Sequence, residues 1–330
     1  MAKSKANQNF GWSALQKGDL IDVIAPGFSI SNDNLQLAKA FVEELGLRAR
    51  VPHDIFGPDV LCAQTDEIRA AHLLRALTAE DSKAVWCLRG GYGAIRIVDA
   101  LFKCKKPKST KIFIGYSDAT TLHNFLNHSW GWPTLHGPLL DRLGQKTLPA
   151  EYVSECLDIV FGRKAQVFHS KLTPLNAAAK KQSTVVGRIF GGNLTVTQSF
   201  LGTRHAYAAK NSILVFEDIG ERGYRVDRIL FQLRQARFFE SAKAIVFGDF
   251  VGGEEKDGRE LVSRVIARFA NELKIPVFAG LPMGHGDRQR TVPLNTHAEI
   301  KCGSEGVLTA DSGLRQEPIA KTIVRARAKK

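Results

Sequence analysis

Residues 111–126 read KIFIGYSDATTLHNFL. The stretch begins with the apolar run of a buried strand and ends with the pattern of a helix. Ser117 stands at the join, with Gly115 two places before it and Ala119 two places after. A strand that turns sharply into a helix projects its corner side chain beyond the sheet edge. The two elements pass close together there, so the neighbours must be small. The first N–H groups of the helix have no intrahelical partners and, with the helix dipole, favour negative charge in front of them. The corner therefore makes Ser117 a candidate nucleophile. A plain helix cap by Ser117 or Asp118 is the competing reading of this stretch taken alone.

The rhythm around that corner sets the fold class. LIDVIAP (20–26), KAVWCLR (83–89) and KIFIGY (111–116) read as strands. NLQLAKAFVEELG (34–46), EIRAAHLLRALT (67–78), AIRIVDALF (94–102) and DATTLHNFLNHS (118–129) read as helices, the first ended by Gly46. Short apolar strands alternating with helices predict a doubly wound, mainly parallel α/β sheet, whose ligands gather at the carboxyl ends of the strands. The rhythm breaks after Pro149, and KLTPLNAAAKKQST (171–184) reads as a linker. The expected division is an N-terminal α/β domain over 1–165, a linker over 166–184 and a smaller, mixed, β-rich domain over 185–330. In the last part, Val226, Ile229, Leu230, Leu233 and Ala236 share one helical face, and a further helix is expected near 260–272.

Length and composition bound the rest. The chain has 330 residues, 36.3 kDa, 44% hydrophobic and 24% charged residues, enough for proper cores. No apolar stretch approaches the roughly 20 residues of a membrane helix, and MAKSKANQNFGW lacks the apolar region of an export signal. A cytoplasmic protein is expected. Five scattered cysteines, Cys62, Cys87, Cys104, Cys156 and Cys302, then read as reduced thiols rather than a disulfide frame or zinc ribbon. The net charge of +13 and pI near 9.6 raise nucleic acid as a partner. Part of the excess is terminal, in Lys3, Lys5 and a basic tail from about residue 312 that includes Lys321, Arg325, Arg327, Lys329 and Lys330. No nucleic-acid module accompanies it, so a solvated end is the preferred reading.

A serine nucleophile needs a base and a group to orient that base. His285 lies in LPMGHGDRQRT between Gly284 and Gly286, in a loop with no apolar periodicity, and is the best base on offer. Glu217 and Asp218 close an apolar strand in ILVFEDIGERGYRVDRIL, and one of them suffices to face an imidazole. His123 and His128 are five apart on a helix and face differently, and no H-E-x-x-H occurs, so neither a metal nor a cofactor is expected. CLRGGYGAIR places Gly90, Gly91 and Gly93 in a strand-to-helix turn that lacks a P-loop lysine but offers backbone N–H groups. Arg89, Arg288 and Arg290 could each pair with a substrate carboxylate.

The order serine, glutamate, histidine, with the phrases LQKGDLIDVIAPG, LRGGYGAIRIVDAL, IGYSDATTLHNFL, TLHGPL, GRIFGGNLTVTQSFLGT, LVFEDIGERGYRVDRIL, AIVFGDF and GHGDRQRTVPLNTHAEI, resembles the LD-carboxypeptidase family of serine peptidases. The resemblance runs from about Leu15 to Ala310; the stretch 133–181 and the basic tail are not clear matches. It implies that Ser117 is the nucleophile, Glu217 the orienting acid and His285 the general base, with no metal. It implies a cytoplasmic, usually dimeric enzyme of peptidoglycan recycling that releases the terminal D-alanine of a tetrapeptide muropeptide. A sister branch, the immunity peptidases that hydrolyse the aminoacyl-nucleotide of microcin C, resembles the chain as well. On this reading the oxyanion donors are the amides of Asp118 and Gly91, and Arg89, Gly90 and Arg288 are expected to meet substrate.

Overall fold

The computed structural model describes residues 11–208 and 210–315. The first five strands are β1 (Leu20–Ile24), β2 (Arg48–Arg50), β3 (Ser82–Cys87), β4 (Ile112–Gly115) and β5 (Thr134–His136). They lie parallel in the order β5-β4-β3-β1-β2. Side chains alternate across this sheet. Ile21, Val23, Ala84, Trp86, Ile112 and Ile114 enter one core, and Ile24, Val85, Cys87 and Phe113 the other. Both faces are therefore buried, which is why the strands read as unbroken apolar runs.

The chain continues as β6 (Gln166–Pro174), β7 (Ser183–Asn193), β8 (Ser212–Ile219), β9 (Ala244–Val251), β10 (Val277–Ala279), β11 (Val292–Leu294), β12 (His297–Cys302) and β13 (Gly306–Asp311). All of these but β11 close a seven-stranded barrel, ordered β10-β6-β13-β12-β7-β8-β9. Its β7-β8-β9-β10 arc is parallel and the remainder antiparallel. The α/β class with a mixed, β-rich second unit is thus the observed fold. The helices Gly223–Gln235 and Val262–Asn271 pack on the parallel arc through Val226, Ile229, Leu230, Leu233, Ile266 and Phe269. No helix of the described residues is long and apolar enough to cross a membrane.

Strand β11 leaves the barrel and pairs antiparallel with β5, adding a sixth strand to the first sheet. Residues from the far end of the chain thereby stand next to the corner after β4. That single connection decides which distant side chains can meet.

Four expectations need correction. The segment 166–184 is no linker, since most of it forms β6 and the start of β7, and β6 pairs with both β10 and β13. Its alternation is hard to read because Lys171 takes φ +60° and the register against β13 shifts between Gly306 and Leu308. The helix expected over 94–102 is broken into two single turns, Ala94–Ile97 and Asp99–Phe102. Ala236, expected on the buried face of its helix, is the exposed residue that ends it. Lys3, Lys5, Lys321, Arg325, Arg327, Lys329 and Lys330 lie outside the described residues, but the start of the expected tail is no free end: Ser312 is buried, Leu314 bridges to Trp12 and the Arg315 amide donates to the Trp12 carbonyl.

Candidate active site

The corner after β4 is sharp because Ser117 itself takes a left-handed backbone, φ +63°, before a 3-10 turn (Ser117–Ala119) leads into the helix Thr120–His128. A non-glycine residue in this region is strained, and such strain concentrates at functional corners. Gly115 has to be small, because a Cβ there would stand 2.9 Å from the Ala119 Cβ and 3.0 Å from the Cys87 Sγ. The small residues around Ser117 thus answer to contact between strand and helix. Neither Ser117 nor Asp118 caps the helix that follows.

The glycine-rich turn after β3 lies over the serine. A Cβ on Gly90 would come within 3.0 Å of the Ser117 Cβ and 3.2 Å of its Oγ. Gly91 has φ +104°, and a side chain there would run into the Phe28 ring. Asp118 fastens the two pieces together. Its buried carboxylate accepts from the Ala94 amide at 2.9 Å, at the far end of the glycine turn. Burial pushes the Asp118 carboxyl up to about 6, against the pull of the Ala94 and Gly93 amides and of Arg69. The amides of Gly91 and Asp118 make no hydrogen bond within the described residues.

On the barrel side, the fully buried Glu217 in β8 holds the His285 imidazole, Oε2 to Nδ1 at 2.7 Å. Burial pushes this carboxyl up, but the imidazoles of His136 and His285 outweigh it and hold Glu217 below the usual carboxylate range. Asp218, its neighbour in sequence, turns away. It accepts from the Asn193 side chain, from the Thr195 amide and hydroxyl, and from the Ile219 amide, at 2.8–2.9 Å. Asp218 is therefore structural, and its carboxyl is pushed up to about 6 by burial and by the nearby Glu217 charge.

The loop that carries His285 is braced throughout. The Gln289 amide donates to the Gly284 carbonyl at 2.9 Å, and the Asp249 amide to the Met283 carbonyl at 2.8 Å. Arg288 pairs with Asp249 at 2.7 Å, and Arg290 grips the carboxylate of the buried Glu155. Immediately after the loop, β11 docks beside β5. The Tyr116 ring, next in chain to Ser117, meets His285 edge-on with centroids 4.9 Å apart. The serine corner and the Glu217–His285 pair are therefore adjacent. Ser117 and His285 are not hydrogen-bonded to each other in this structure; such contacts often tighten only around substrate.

Of the candidate carboxylate partners, Arg290 is committed to Glu155 and Arg288 to Asp249. Arg89, half exposed, makes one long contact of 3.4 Å with Asp141. His123 is a core histidine, buried between the Gly115 carbonyl and the Thr134 hydroxyl, whereas the exposed His128 at the end of the same helix stacks on Phe190 and Tyr207. Sequence reading missed His136. It sits in TLHGPL at the end of β5, fully buried, with Nε2 3.7 Å from Glu217 Oε1. Only the strand order, which puts β5 between β4 and β11, points to it.

Comparison with known proteins gives the family. Residues 21–137 match the LD-carboxypeptidase N-terminal domain, and residues 186–300 the LD-carboxypeptidase C-terminal domain. The chain belongs to the LD-carboxypeptidase family. A murein tetrapeptide carboxypeptidase of Pseudomonas aeruginosa is 30% identical over 285 residues, covering 85% of this chain and 92% of that one. The crystal structure of muramoyltetrapeptide carboxypeptidase from Oxalobacter formigenes superposes with a TM-score of 0.75 at 27% identity, covering 88% of this chain and 98% of that one. The microcin C7 self immunity protein MccF, solved with aspartyl sulfamoyl adenosine, shares the fold with a TM-score of 0.78 at 19% identity, covering 92% of this chain and 99% of that one.

Proposed function

We propose that the protein is a serine LD-carboxypeptidase that removes the C-terminal D-alanine from tetrapeptide muropeptides in the cytoplasm during peptidoglycan recycling, working as a homodimer. The observation that carries this reading is the 2.7 Å bond from a fully buried carboxylate to a loop imidazole, beside a serine on a strained strand-to-helix corner.

In the proposed reaction Glu217 accepts a hydrogen bond from the Nδ1–H of His285, which fixes the tautomer that leaves Nε2 bare to act as base. As the Ser117 Oγ attacks the carbonyl carbon preceding D-alanine, its proton passes to Nε2. The oxyanion that forms is met by the amides of Asp118 and Gly91. The intermediate collapses, the C–N bond breaks, and the imidazolium returns the proton to the departing amine of D-alanine. Water, deprotonated by the same imidazole, then attacks the acyl-serine ester, and the imidazolium returns the proton to the Ser117 Oγ as the C–O bond breaks and the shortened peptide leaves. Throughout, the depressed pKa keeps Glu217 ionised beside the imidazolium that forms.

Arg89 is the proposed partner of the terminal carboxylate. It adjoins Gly90, which covers the serine, and its one long contact leaves the guanidinium available. Losing a charge-assisted bond of this kind costs about 1.5–3 kcal/mol, so Arg89→Ala raises KM about tenfold or more and leaves kcat nearly unchanged. Steady-state kinetics on a tetrapeptide measure this.

The deciding experiment incubates the protein with purified muropeptides and, separately, with an aminoacyl-nucleotide analogue of processed microcin C, and reads products by mass spectrometry. Loss of D-alanine from tetrapeptides by wild type, and none by a folded Ser117→Ala variant, is the expected result. Cleavage of the nucleotide analogue alone would move the enzyme to the sister branch. Full turnover by Ser117→Ala would remove the nucleophile.

A further inference from the structure

Glu217 has two carboxylate oxygens, and the His285 bond accounts for one. Oε2 holds that imidazole; Oε1 has no hydrogen-bond partner and is fully buried. The ring facing Oε1 belongs to His136, whose Nε2 is 3.7 Å away and whose two ring nitrogens are also buried without partners. The neighbouring groups have other partners, the Tyr116 hydroxyl being directed at Gln289 and Arg142. Asp218 is occupied by Asn193 and Thr195, Asp249 by Arg288, and the Tyr116 ring packs between the two histidines, 5.7 Å from His136 and 4.9 Å from His285. An imidazole thus faces each oxygen of this carboxylate, His285 at Oε2 and His136 at Oε1.

The backbone makes the placement of His136 firm. It ends β5, in register with Gly115 of β4 on one side and Val292 of β11 on the other. Gly115 leads into the serine corner, and Val292 follows the His285 loop. The ring also stacks along His123, centroids 6.3 Å apart, and His123 is itself fixed by the Gly115 carbonyl and Thr134. His136 thus occupies the strand between the two chain segments that must stay in line.

We propose that His136 is a positioning residue of the site: its Nε2–H is directed at Glu217 Oε1, so that the carboxylate is held at both oxygens and Oε2 stays aimed at His285. The proposal rests on the role given above to Glu217. A carboxylate held at one oxygen can swing about its last torsion. Held between two imidazoles it cannot, and the charged form is favoured over the neutral acid. The gap is under 1 Å longer than an ordinary hydrogen bond, within reach of a small shift when substrate closes the site.

The first test needs no substrate. Protein labelled with ¹⁵N-histidine is examined by NMR at neutral pH, His136 being assigned by the signals that vanish in His136→Gln. A His136 ring protonated at Nε2 is the expected result; Nε2 found bare, with the proton on Nδ1, overturns the proposal whether or not the protein proves to be a peptidase. The second test is kinetic. His136→Phe, checked for fold by circular dichroism, lowers kcat about tenfold to a hundredfold with little change in KM, as a small misalignment of a catalytic group does. Without the second donor the neutral form of Glu217 gains, so the acid limb of kcat/KM moves to higher pH. His136→Gln, which keeps an N–H donor, restores most of the rate and the limb. A folded His136→Phe with the wild-type rate and acid limb overturns the proposal. Should wild type cleave none of the proposed substrates, the peptidase reading fails and the NMR result still decides this one.

Discussion

On the sheet side of the site Ser117 is enclosed by backbone: Gly90 above it, Gly115 behind it, and two unbonded amides beside it. On the barrel side Glu217, His285 and His136 interact through side chains buried deeply enough to shift Glu217 by mutual charge. The first region depends on what is small, and the second on what is ionised. A methyl group should therefore be the damaging change on one side and a neutral isostere on the other.

The barrel side gives the largest expected effect. Glu217→Gln keeps the volume of the buried side chain but presents an amide where the imidazole needs an acceptor for its Nδ1 proton. Such a change costs about 10⁴-fold in kcat. Asp218→Asn, one residue along, acts on a carboxylate that ties β8 to Asn193 and Thr195. It lowers thermal stability and leaves kcat within a few-fold of wild type. Kinetics and melting curves of the two variants check the contrast; equal losses of kcat would show that the two acids share the work.

The sheet side is broken by Gly90→Ala. Its new methyl would stand 3.0 Å from the Ser117 Cβ, so the turn must rise and carry the Gly91 amide away from the proposed oxyanion site. Displacing one such donor costs about 100-fold to 1000-fold in kcat, with KM and melting temperature little changed. A Gly90→Ala enzyme of normal kcat would mean that the turn does not form the oxyanion site.

The same division explains what the sequence made legible. Small residues at Gly90, Gly91, Gly115 and Ala119 are visible as letters, because close approach excludes everything larger. The apolar strands β1, β3 and β4 are visible because both their faces are buried. Glu217 and Asp218 look alike in sequence, and only the direction of β8 decides which faces the imidazole. His136 was invisible for a related reason. Its partner is 81 residues away, and a three-residue strand joins them only because β11 crosses back from the barrel to the sheet. The barrel strand β6 was hidden by its own bulge at Lys171, which interrupts the two-residue period. Short-range patterning thus revealed the sheet wall, whereas the charged wall needed the topology.

The smallest expected effect tests a buried carboxyl of the sheet wall. Asp118 ties the serine corner to the glycine turn, and its carboxyl is raised by burial from 3.8 to about 6. A carboxyl with a raised folded pKa holds its proton in the folded state after the unfolded chain has released it. Between about pH 4 and 6 the folded state therefore binds more protons, and this group's contribution to stability is lost as pH rises through that window. Glu217 and Glu155, both lowered, push the other way, and Asp218 pushes with Asp118, so the wild-type curve alone cannot isolate it. The comparison that can is Asp118→Asn against wild type at two pH values. The variant never ionises there, so its melting temperature gains on wild type by a few degrees between pH 4.5 and pH 7.5. The same offset at both pH values would mean that Asp118 is charged throughout, and that the sheet wall, like the barrel wall, is held by an ion.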